Sequence, residues 1–284
     1  MAQSSEPAFL IGLIGAGIQA SRTPAMHQRE GDALGVRYLY RTIDLEKLRL
    51  GAEALPELLT AAERMGFNGL NITHPCKQSV IPLLTDLSED ARALGAVNTV
   101  VLREGQRTGH NTDWFGYYQG FQRGFADVAR ERVVQLGAGG AGSAVAHAAL
   151  KLGVKKLTVF DIEADRASKL ASALSARFGP GRAQAGGSLA DAVAEADGLI
   201  HCTPTGMKSH PGLPLPAELL RPPLWVSEIV YFPLETELLR VAKSRGCRTL
   251  SGGGMAVFQA VEAFRLFTGL KPDPERMLAH FASM

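Results

Sequence analysis

The sequence predicts an α/β protein with two domains, and three observations support this prediction. Apolar, β-rich runs bounded by glycine alternate with helix-period segments along almost all of the 284 residues, as expected of a parallel sheet covered by helices. A chain of this length corresponds to one large domain or two of ordinary size. Residues 133–161 contain a strand, a glycine-rich turn, a helix and a second strand, which is the order of a nucleotide-binding βαβ unit.

In the first part of the chain, the patterns predict alternating strands and helices. The strands are residues 9–15, 36–44, 67–73 and 96–104. The helical segments are residues 24–34, 55–65 and 79–84, followed by an aromatic-rich helix at 114–125.

The second part continues with the βαβ unit and three more strands. These strands are residues 198–204, 224–231 and 247–252. Residues 255–270 have apolar side chains at helical spacing, and we expect this last helix to pack on the first domain. The predicted domains are therefore 1–113 with 251–284, an α/β domain completed by the C-terminal helix, and 114–250.

Charge and composition exclude several classes of protein. There are 30 Lys and Arg against 28 Asp and Glu, a net charge of +2, and no block of five like charges, so we expect no nucleic-acid partner and no membrane contact. The uncharged stretches 7–21 and 133–150 are too short or too polar to predict a membrane span. The N-terminus lacks a basic signal region, and three widely separated cysteines favour free thiols in a cytoplasmic protein. No metal-ligand spacing is present, and we expect no metal site.

The glycine-rich turn indicates a dinucleotide site in a Rossmann-type domain. Gly137, Gly139 and Gly142 permit a tight turn, close approach to a pyrophosphate, and packing of the helix on its strand. Asp161 lies 19 residues after Gly142 at the end of the next strand, where its carboxylate can accept hydrogen bonds from ribose hydroxyls. The alternative is a turn that serves packing only.

The residues around Asp161 predict NAD as the cofactor and disfavour NADP. A 2′-phosphate would meet the carboxylates of Asp161 and Glu163, and Ile162 between them is not basic. Arg166 is the nearest cation and could still support some NADP binding. Replacing Asp161 by Ala together with Ile162 by Arg should move the preference toward NADP.

Polar residues follow several predicted strands of the first domain, where a buried core would contain none. They are residues 21–23, 71–77, Asn98 and 111–113. Strand ends of open α/β sheets face the ligand crevice, and these hydroxyl and carboxamide groups suit a small polyhydroxylated anion. Combined with a nicotinamide site, they predict oxidation of an alcohol.

Seven segments, in order along nearly the whole chain, carry a family resemblance: SRTPAMH, GFNGLNITHPCKQ, LGAVNTV, GHNTDWFGY, GAGGAG, VYFPLETELL and MAVFQAVEAFRLFTG. With them the chain resembles the shikimate dehydrogenase family, in particular its NAD-preferring quinate/shikimate dehydrogenase branch. The resemblance implies a two-domain enzyme that reversibly oxidises the C3 hydroxyl of shikimate, or the equivalent hydroxyl of quinate, to the 3-dehydro acid.

The resemblance also implies roles for individual residues. Lys77 and Asp113 correspond to the catalytic pair. The expected substrate-binding residues are Ser21, Thr23, Asn71, Thr73, Asn98, Tyr231 and Gln259. Tyr231 either closes over the substrate or nicotinamide or lies buried in the core. The glycine turn and the resemblance together predict these cofactor-binding residues: Gly137, Ala138, Gly139, Gly140, Ala141, Asp161, Arg166, Cys202, Thr203, Met207, Gly254 and Met255.

Chemistry constrains the role of Lys77 most closely. A group that takes the hydroxyl proton must be neutral in that step, whereas a free lysine has a pKa of about 10.4. A neighbouring Asp113 carboxylate would raise the pKa of this amine. Lys77 is therefore either the proton acceptor itself, or an acid in the reduction direction, with Asp113 fixing the ammonium group and binding a substrate hydroxyl.

Two departures from the family pattern affect the expected specificity. Residues 161–163 are Asp-Ile-Glu where many NADP-using members carry a basic residue, which favours NAD. Thr23 stands where strict shikimate enzymes usually have a second serine, which makes quinate a plausible substrate. We expect a small cyclic hydroxy acid as the partner, and a monomer or homodimer. The rival interpretations are a dehydrogenase of an aminoshikimate-type or other cyclic hydroxy acid, and a ligand-sensing homologue without turnover.

Overall fold

The computed structural model describes residues 7–284 as two compact units. The first unit comprises the described residues up to Thr112 together with Val257–Met284, and is therefore discontinuous in sequence. The second unit comprises Asp113–Ala256. Asp113 and residues 251–256 thus lie in the second unit, whereas the sequence prediction placed them in the first domain. Each unit contains one six-stranded sheet.

Strands and helices alternate along much of the described chain, with exceptions such as the neighbouring strands β5 and β6. The strands are β1 (Ala8–Gly15), β2 (Arg37–Asp44), β3 (Gly69–Ile72), β4 (Asp86–Leu87), β5 (Thr99–Arg103), β6 (Gln106–His110), β7 (Arg132–Leu136), β8 (Lys156–Phe160), β9 (Ala183–Ala185), β10 (Gly198–His201), β11 (Trp225–Glu228) and β12 (Arg248–Leu250). The helices are α1 (Thr23–Ala33), α2 (Leu45–Leu48), α3 (Leu55–Arg64), α4 (Glu89–Leu94), α5 (Asp113–Gly124), α6 (Gly140–Lys151), α7 (Ala164–Phe178), α8 (Leu189–Ala194), α9 (Glu237–Ser244), α10 (Gly253–Thr268) and α11 (Pro274–Ser283). The α/β class is confirmed.

The sheet of the first unit is mixed, in the order β2-β1-β3-β5-β6-β4. β1 pairs in parallel with β2 and β3, whereas β5 is antiparallel to both β3 and β6. The predicted parallel sheet is therefore wrong for this unit. Glu104 and Gly105 both have positive φ angles, 53° and 75°, and such a two-residue hairpin turn joins antiparallel strands without a crossover helix.

The predicted helix at residues 79–84 is also wrong. Only Ile81–Leu83 forms a short 3₁₀ turn there, because Pro82 has no backbone N–H to continue a helical ladder. Several elements have no counterpart among the predicted ones: β4, β6, β9, α2, α4, α7, α8, α9 and α11.

Helices cover both faces of the first sheet. On one face, Leu55 and Leu59 of α3 pack with Leu70 and Ile72 of β3. On the other face, Phe264 of α10 packs in a cluster with the strand residues Ile11, Leu13, Tyr38 and Tyr40. This packing holds α10, the helix predicted at residues 255–270, against the sheet of the first unit.

The sheet of the second unit is wholly parallel, in the order β12-β11-β10-β7-β8-β9. This is the doubly wound, Rossmann-type arrangement, with the reversal of strand order between β7 and β10. The first residue of β10 is Gly198, and glycine is required there because a side chain would clash with the buried Trp225 ring. Ligands of such sheets bind outside the carboxyl ends of the strands at this reversal.

Within residues 7–284, no helix combines the length and apolar character needed to cross a membrane. The same residues contain no cluster of three or more metal-binding side chains.

Candidate active site

The glycine-rich turn joins β7 to α6 and depends on two close backbone approaches. Gly137 has a φ angle of 100°, and a Cβ atom on it would lie 2.6 Å from the Cys202 carbonyl oxygen. A Cβ atom on Gly142 would clash with the Gly137 carbonyl group. Side chains at these two positions would therefore deform the turn.

The same turn fits the diphosphate of a dinucleotide. Gly139 and Gly140 are exposed, and their missing Cβ atoms would point into open space. Gly139 caps α6 without a side-chain hydrogen bond, and the first turn of this helix contains no acidic residue. The N-terminal amides and the helix dipole of α6 are therefore suited to bind an anion.

Asp161 connects the end of β8 to the glycine turn. Its Oδ2 accepts a hydrogen bond from the Ala138 amide at 2.7 Å, and its Oδ1 accepts one from the Glu163 amide at 3.0 Å. Ile162 is completely exposed, at 100%. Arg166 forms an exposed ion pair with Glu163 at 2.8 Å. The structure thus brings Ala138 and Asp161 together. It also pairs Arg166, the cation nearest to Asp161 in the sequence, with Glu163.

Gln135, a residue of β7 that was not among the predicted site residues, supports the turn. Its side chain is fully buried in β7, and its Nε2 donates hydrogen bonds to the carbonyl oxygens of Gly137 at 2.8 Å and Gly142 at 2.9 Å. The amide therefore bridges the two ends of the turn. A polar residue inside the apolar strand VVQL, directly before the glycines, was the available signal.

The loop after β10 lies against the glycine turn. The Cys202 amide donates to the Leu136 carbonyl at 2.7 Å, and this places residues 202 and 203 beside Gly137. Burial raises the pKa of the Cys202 thiol well above its ordinary value, and the charge of Glu228 raises it further. Cys202 is therefore a neutral thiol at pH 7. Met207, farther along this loop, is exposed.

The segments after β11 and before α10 have defined places in the second unit. Tyr231 is 39% exposed, so the alternative of a buried core tyrosine is wrong. A side chain at Gly252 would clash with the Ile229 carbonyl group, and a Cβ atom on Gly254 would lie 3.4 Å from the Cα atom of Gly120. Met255 packs against the hydrophobic core of this unit. Gly254 and Met255 therefore have packing contacts in addition to their predicted role.

Lys77 lies in a turn that two buried side chains anchor to the first unit. Cys76 and Val80 are fully buried, and burial raises the pKa of the Cys76 thiol. The Val97 amide donates to the Lys77 carbonyl at 2.9 Å, while the Lys77 side chain remains half-buried. Thr73, also half-buried, precedes this turn, and its amide donates to the Ile14 carbonyl.

Asn71 is buried in a hydrogen-bonded network that uses both of its amide hydrogens. The Tyr40 hydroxyl donates to Asn71 Oδ1 at 2.7 Å. Asn71 Nδ2 donates to the Asn98 carbonyl at 3.2 Å and to Thr99 Oγ1 at 3.1 Å. Burial raises the pKa of Tyr40 well above its ordinary value, so its hydroxyl remains a donor. Tyr40 and Thr99 were missed because their sequence contexts are those of ordinary strands.

Asn98 clamps the segment that leads to Asp113. Its Oδ1 accepts from the Thr112 amide at 2.7 Å, and its Nδ2 donates to Thr112 Oγ1 at 2.9 Å. Asp113 is the first residue of α5 and belongs to the second unit, whereas Lys77 belongs to the first. Their catalytic pairing stays a prediction.

Ser21 and Thr23 meet at the beginning of α1, and both are half-buried. Ser21 Oγ accepts a hydrogen bond from the Thr23 amide at 3.3 Å, and the first turn of α1 contains no acidic residue. Two hydroxyls beside a helix N-terminus are suited to bind a carboxylate. Gln259 is half-buried on α10.

Three family models match the chain. The shikimate dehydrogenase substrate binding domain matches residues 13–100, and the shikimate 5′-dehydrogenase C-terminal domain matches residues 252–280. Between them, the alanine dehydrogenase/PNT C-terminal domain matches residues 118–213.

Individual relatives match over nearly their full lengths. A shikimate dehydrogenase (NADP(+)) of Streptomyces avermitilis is 58% identical over 282 residues, which cover 99% of this chain and 97% of that protein. A quinate/shikimate dehydrogenase (NAD(+)) of Corynebacterium efficiens is 50% identical over 281 residues, 97% of this chain and 98% of that protein. The solved quinate dehydrogenase of Corynebacterium glutamicum in complex with NAD is 48% identical, with a TM-score of 0.94 over 98% of this chain and 100% of that one. The relatives thus carry the names of both nucleotides.

Proposed function

Because this chain belongs to the shikimate dehydrogenase family, we propose that it is an NAD-dependent quinate/shikimate dehydrogenase. It oxidises the C3 hydroxyl of shikimate, or the equivalent hydroxyl of quinate, to the 3-dehydro acid, and catalyses the reverse reduction. The observation that carries this proposal is the full-length match to enzymes named for these two substrates. The cyclic hydroxy acid binds mainly to the first unit, and the cofactor binds to the second unit.

The surroundings of Asp161 support NAD over NADP. The carboxylate lies at the end of β8 beside the turn, where it can accept hydrogen bonds from the ribose hydroxyls and would repel a 2′-phosphate. Exposed Ile162 brings no positive charge, and Arg166 is paired with Glu163. NAD therefore meets fewer like charges than NADP at this edge of the site.

The substrate is held by its carboxylate and its ring hydroxyls. The Ser21 and Thr23 hydroxyls bind the carboxylate at the beginning of α1, where the helix dipole favours a negative charge. The other residues proposed to bind the substrate contribute polar groups around the ring; they are Asn71, Thr73, Asn98, Tyr231 and Gln259. The Tyr40 hydroxyl holds the Asn71 side chain in place. The extra methyl group of Thr23, relative to a serine, is compatible with quinate as a second substrate.

Oxidation of the alcohol removes a hydride from the carbinol carbon and a proton from its oxygen. The nicotinamide supplies the acceptor for the hydride when the cofactor is bound. Lys77 Nζ takes the proton in the oxidation direction and returns it in the reduction direction. Asp113 binds a substrate hydroxyl and orients the ammonium group of Lys77.

The test is an assay of nucleotide reduction with each pairing of NAD or NADP with shikimate or quinate. We expect turnover with NAD to exceed turnover with NADP, and Lys77→Ala to lower kcat by at least about 100-fold, since general acid–base catalysis contributes that much. The Kd for NAD should change less than about twofold, because removing the base removes no cofactor contact. The control is Ser79→Ala, an exposed residue two positions away.

Two results would contradict the proposal. Normal turnover of the Lys77→Ala variant would refute the role of Lys77. No turnover of any cyclic hydroxy acid by the unchanged chain would instead indicate a ligand-sensing homologue, and a preference for an amino analogue would indicate a different dehydrogenase.

A further inference from the structure

The second unit contains a buried histidine–carboxylate pair that the proposed reaction does not use. His201 is the last residue of β10 and Glu228 the last residue of β11, and they are direct partners in the register of the two strands. Their exposed fractions are 0% and 1%. Nδ1 of His201 lies 2.9 Å from Oε1 and 3.0 Å from Oε2 of Glu228.

The carboxylate determines the direction of the hydrogen bonds in this cluster. An ionised carboxylate only accepts, so Nδ1 of His201 carries the hydrogen and donates it to Glu228. This leaves Nε2 of His201 facing Thr203 Oγ1, with which it forms a hydrogen bond. Thr203 Oγ1 in turn accepts from the Thr205 amide at 3.3 Å. Through Thr203, the His201–Glu228 pair therefore fixes the position of the first residues of the loop after β10.

Glu228 holds a second segment at the same time. Its Oε1 accepts from the Val230 amide at 3.0 Å, and its Oε2 accepts from the Thr236 hydroxyl at 3.0 Å. Thr236 is the N-cap of α9. One buried carboxylate thus joins the loop after β10 to the whole turn between β11 and α9, which includes the exposed Tyr231. Since a buried charge is costly unless it is fully hydrogen-bonded, these bonds constrain both segments.

The topology places both segments at the half of the sheet away from the adenosine side. The glycine turn and Asp161 belong to β7 and β8, and β10 and β11 lie across the reversal of strand order. In a doubly wound sheet the dinucleotide crosses this reversal, so the loops after β10 and β11 border its nicotinamide half. The hydrogen bond from the Cys202 amide to the Leu136 carbonyl, at the end of β7, places the first loop at the reversal itself.

We propose that His201 and Glu228 are positioning residues that hold the Thr203 loop and the turn containing Tyr231 in the arrangement that receives the nicotinamide half of the cofactor. This inference rests on the proposed function, because it concerns the same dinucleotide site. It assigns to the pair no direct contact with the cofactor and no part in proton transfer.

The test compares two ligands that differ only in the nicotinamide. The full-length protein binds NAD or ADP-ribose, which lacks the nicotinamide, and calorimetry measures each Kd for the unchanged chain and for Glu228→Gln. Gln preserves the shape of the side chain and removes its charge. We expect the Kd for NAD to rise about tenfold, the loss expected for a charge-assisted hydrogen-bond system, and the Kd for ADP-ribose to change less than about twofold.

Kinetics and a second variant complete the design. The KM for NAD should rise with its Kd, while the KM for shikimate stays unchanged. His201→Gln removes the imidazole that hydrogen-bonds both Glu228 and Thr203. It should also raise the Kd for NAD more than the Kd for ADP-ribose. This variant decides the test if Glu228→Gln does not fold. His147→Phe is the matched control, because His147 is a buried histidine of the same unit that packs against Trp114 and Phe178.

Three outcomes would overturn the inference. Equal losses of NAD and ADP-ribose affinity would show that the pair only stabilises the unit, and an unchanged NAD affinity would show that the two segments do not border the nicotinamide. Absence of binding of both ligands by the unchanged chain would overturn the proposed function and this inference with it.

Discussion

At the scale of single residues, hydrogen-bond partners decide what each polar side chain can contribute. Asn71 was predicted to bind substrate, yet Tyr40, Asn98 and Thr99 occupy its carbonyl oxygen and both amide hydrogens. Asp161 was predicted to bind ribose, and its carboxylate also accepts from the amide of Ala138 in the glycine turn. Both residues thus have a structural task that their residue type does not reveal.

The double task of Asp161 changes the design of a cofactor switch. The double change Asp161→Ala with Ile162→Arg also removes the hydrogen bond to Ala138, and should weaken binding of both nucleotides through the turn. Ile162→Arg alone keeps that bond and adds a guanidinium group at a fully exposed position. We expect kcat/KM for NADP to rise about tenfold, because a charge-assisted bond to a phosphate contributes that much.

The measurement is kcat/KM for each nucleotide at saturating shikimate. Ile162→Gln, which adds length without charge, is the control and should leave the NAD-to-NADP ratio near its original value. If the NAD-to-NADP ratio of kcat/KM is unchanged in Ile162→Arg, the 2′-position of the ribose does not lie near residue 162.

At the scale of secondary-structure elements, the buried Glu30 carboxylate links α11 to α1, in addition to the buried side chains of Met277 and Phe281 on α11. Glu30 of α1 accepts hydrogen bonds from the Asp273 amide at 2.7 Å and from Arg276 Nε and Nη2 at 2.8 and 2.6 Å. Asp273 is also the N-cap of α11, where it accepts from the amides of Glu275 and Arg276. The beginning of α11 and its attachment to α1 therefore depend on the same few residues.

Removing the guanidinium group from this contact should destabilise the protein. In Arg276→Ala the Glu30 carboxylate, 1% exposed, keeps only one of its three donors. We expect the free energy of unfolding to fall by about 2 kcal/mol, below the range for fully buried pairs because Arg276 is partly exposed. Urea unfolding measures the change. Arg92→Ala, which removes an exposed ion pair with Asp86, is the control, and an equal effect of both changes would contradict the argument.

At the scale of the whole molecule, pH acts on stability through buried histidines. Desolvation lowers the pKa of the fully buried His27 to about 3, and burial also lowers the pKa values of His110 and His280. The ordinary pKa of histidine is about 6.5. At a pH below this value, the unfolded chain binds a proton at His27 that the folded chain does not bind. The stability present above pH 6.5 is therefore lost as the pH falls toward 3.

Removing the His27 imidazole should therefore change the slope of the free energy of unfolding against pH. Each such histidine contributes up to about 1.4 kcal/mol per pH unit between its two pKa values. His27→Gln should lower the slope between pH 6 and pH 4.5 by about that amount, as measured by urea unfolding at several pH values. A slope equal to that of the unchanged chain would mean that His27 is protonated in the folded state.

Much of the fold and part of the candidate site followed from local patterns in the sequence. The predicted strand at 9–15 and the predicted helix at 55–65 lie within one residue of β1 and α3, because periodicity and glycine positions depend on near neighbours in the sequence. The glycine turn and Asp161 were recognised for the same reason, since their spacing is local.

Partners distant in sequence could be identified only in the folded chain. Side-chain chemistry alone does not predict that the Tyr40 hydroxyl donates to Asn71 or that Glu228 pairs with His201. It also does not predict that the hairpin of β5 and β6 makes the first sheet mixed. These features depend on which strands become neighbours, and strand order results from the packing of the whole unit. The sequence by itself therefore determined the α/β class, the dinucleotide turn and the set of polar candidates. The tertiary structure decided how those side chains use their hydrogen-bonding groups, because a donor or acceptor is committed only when a partner is packed against it.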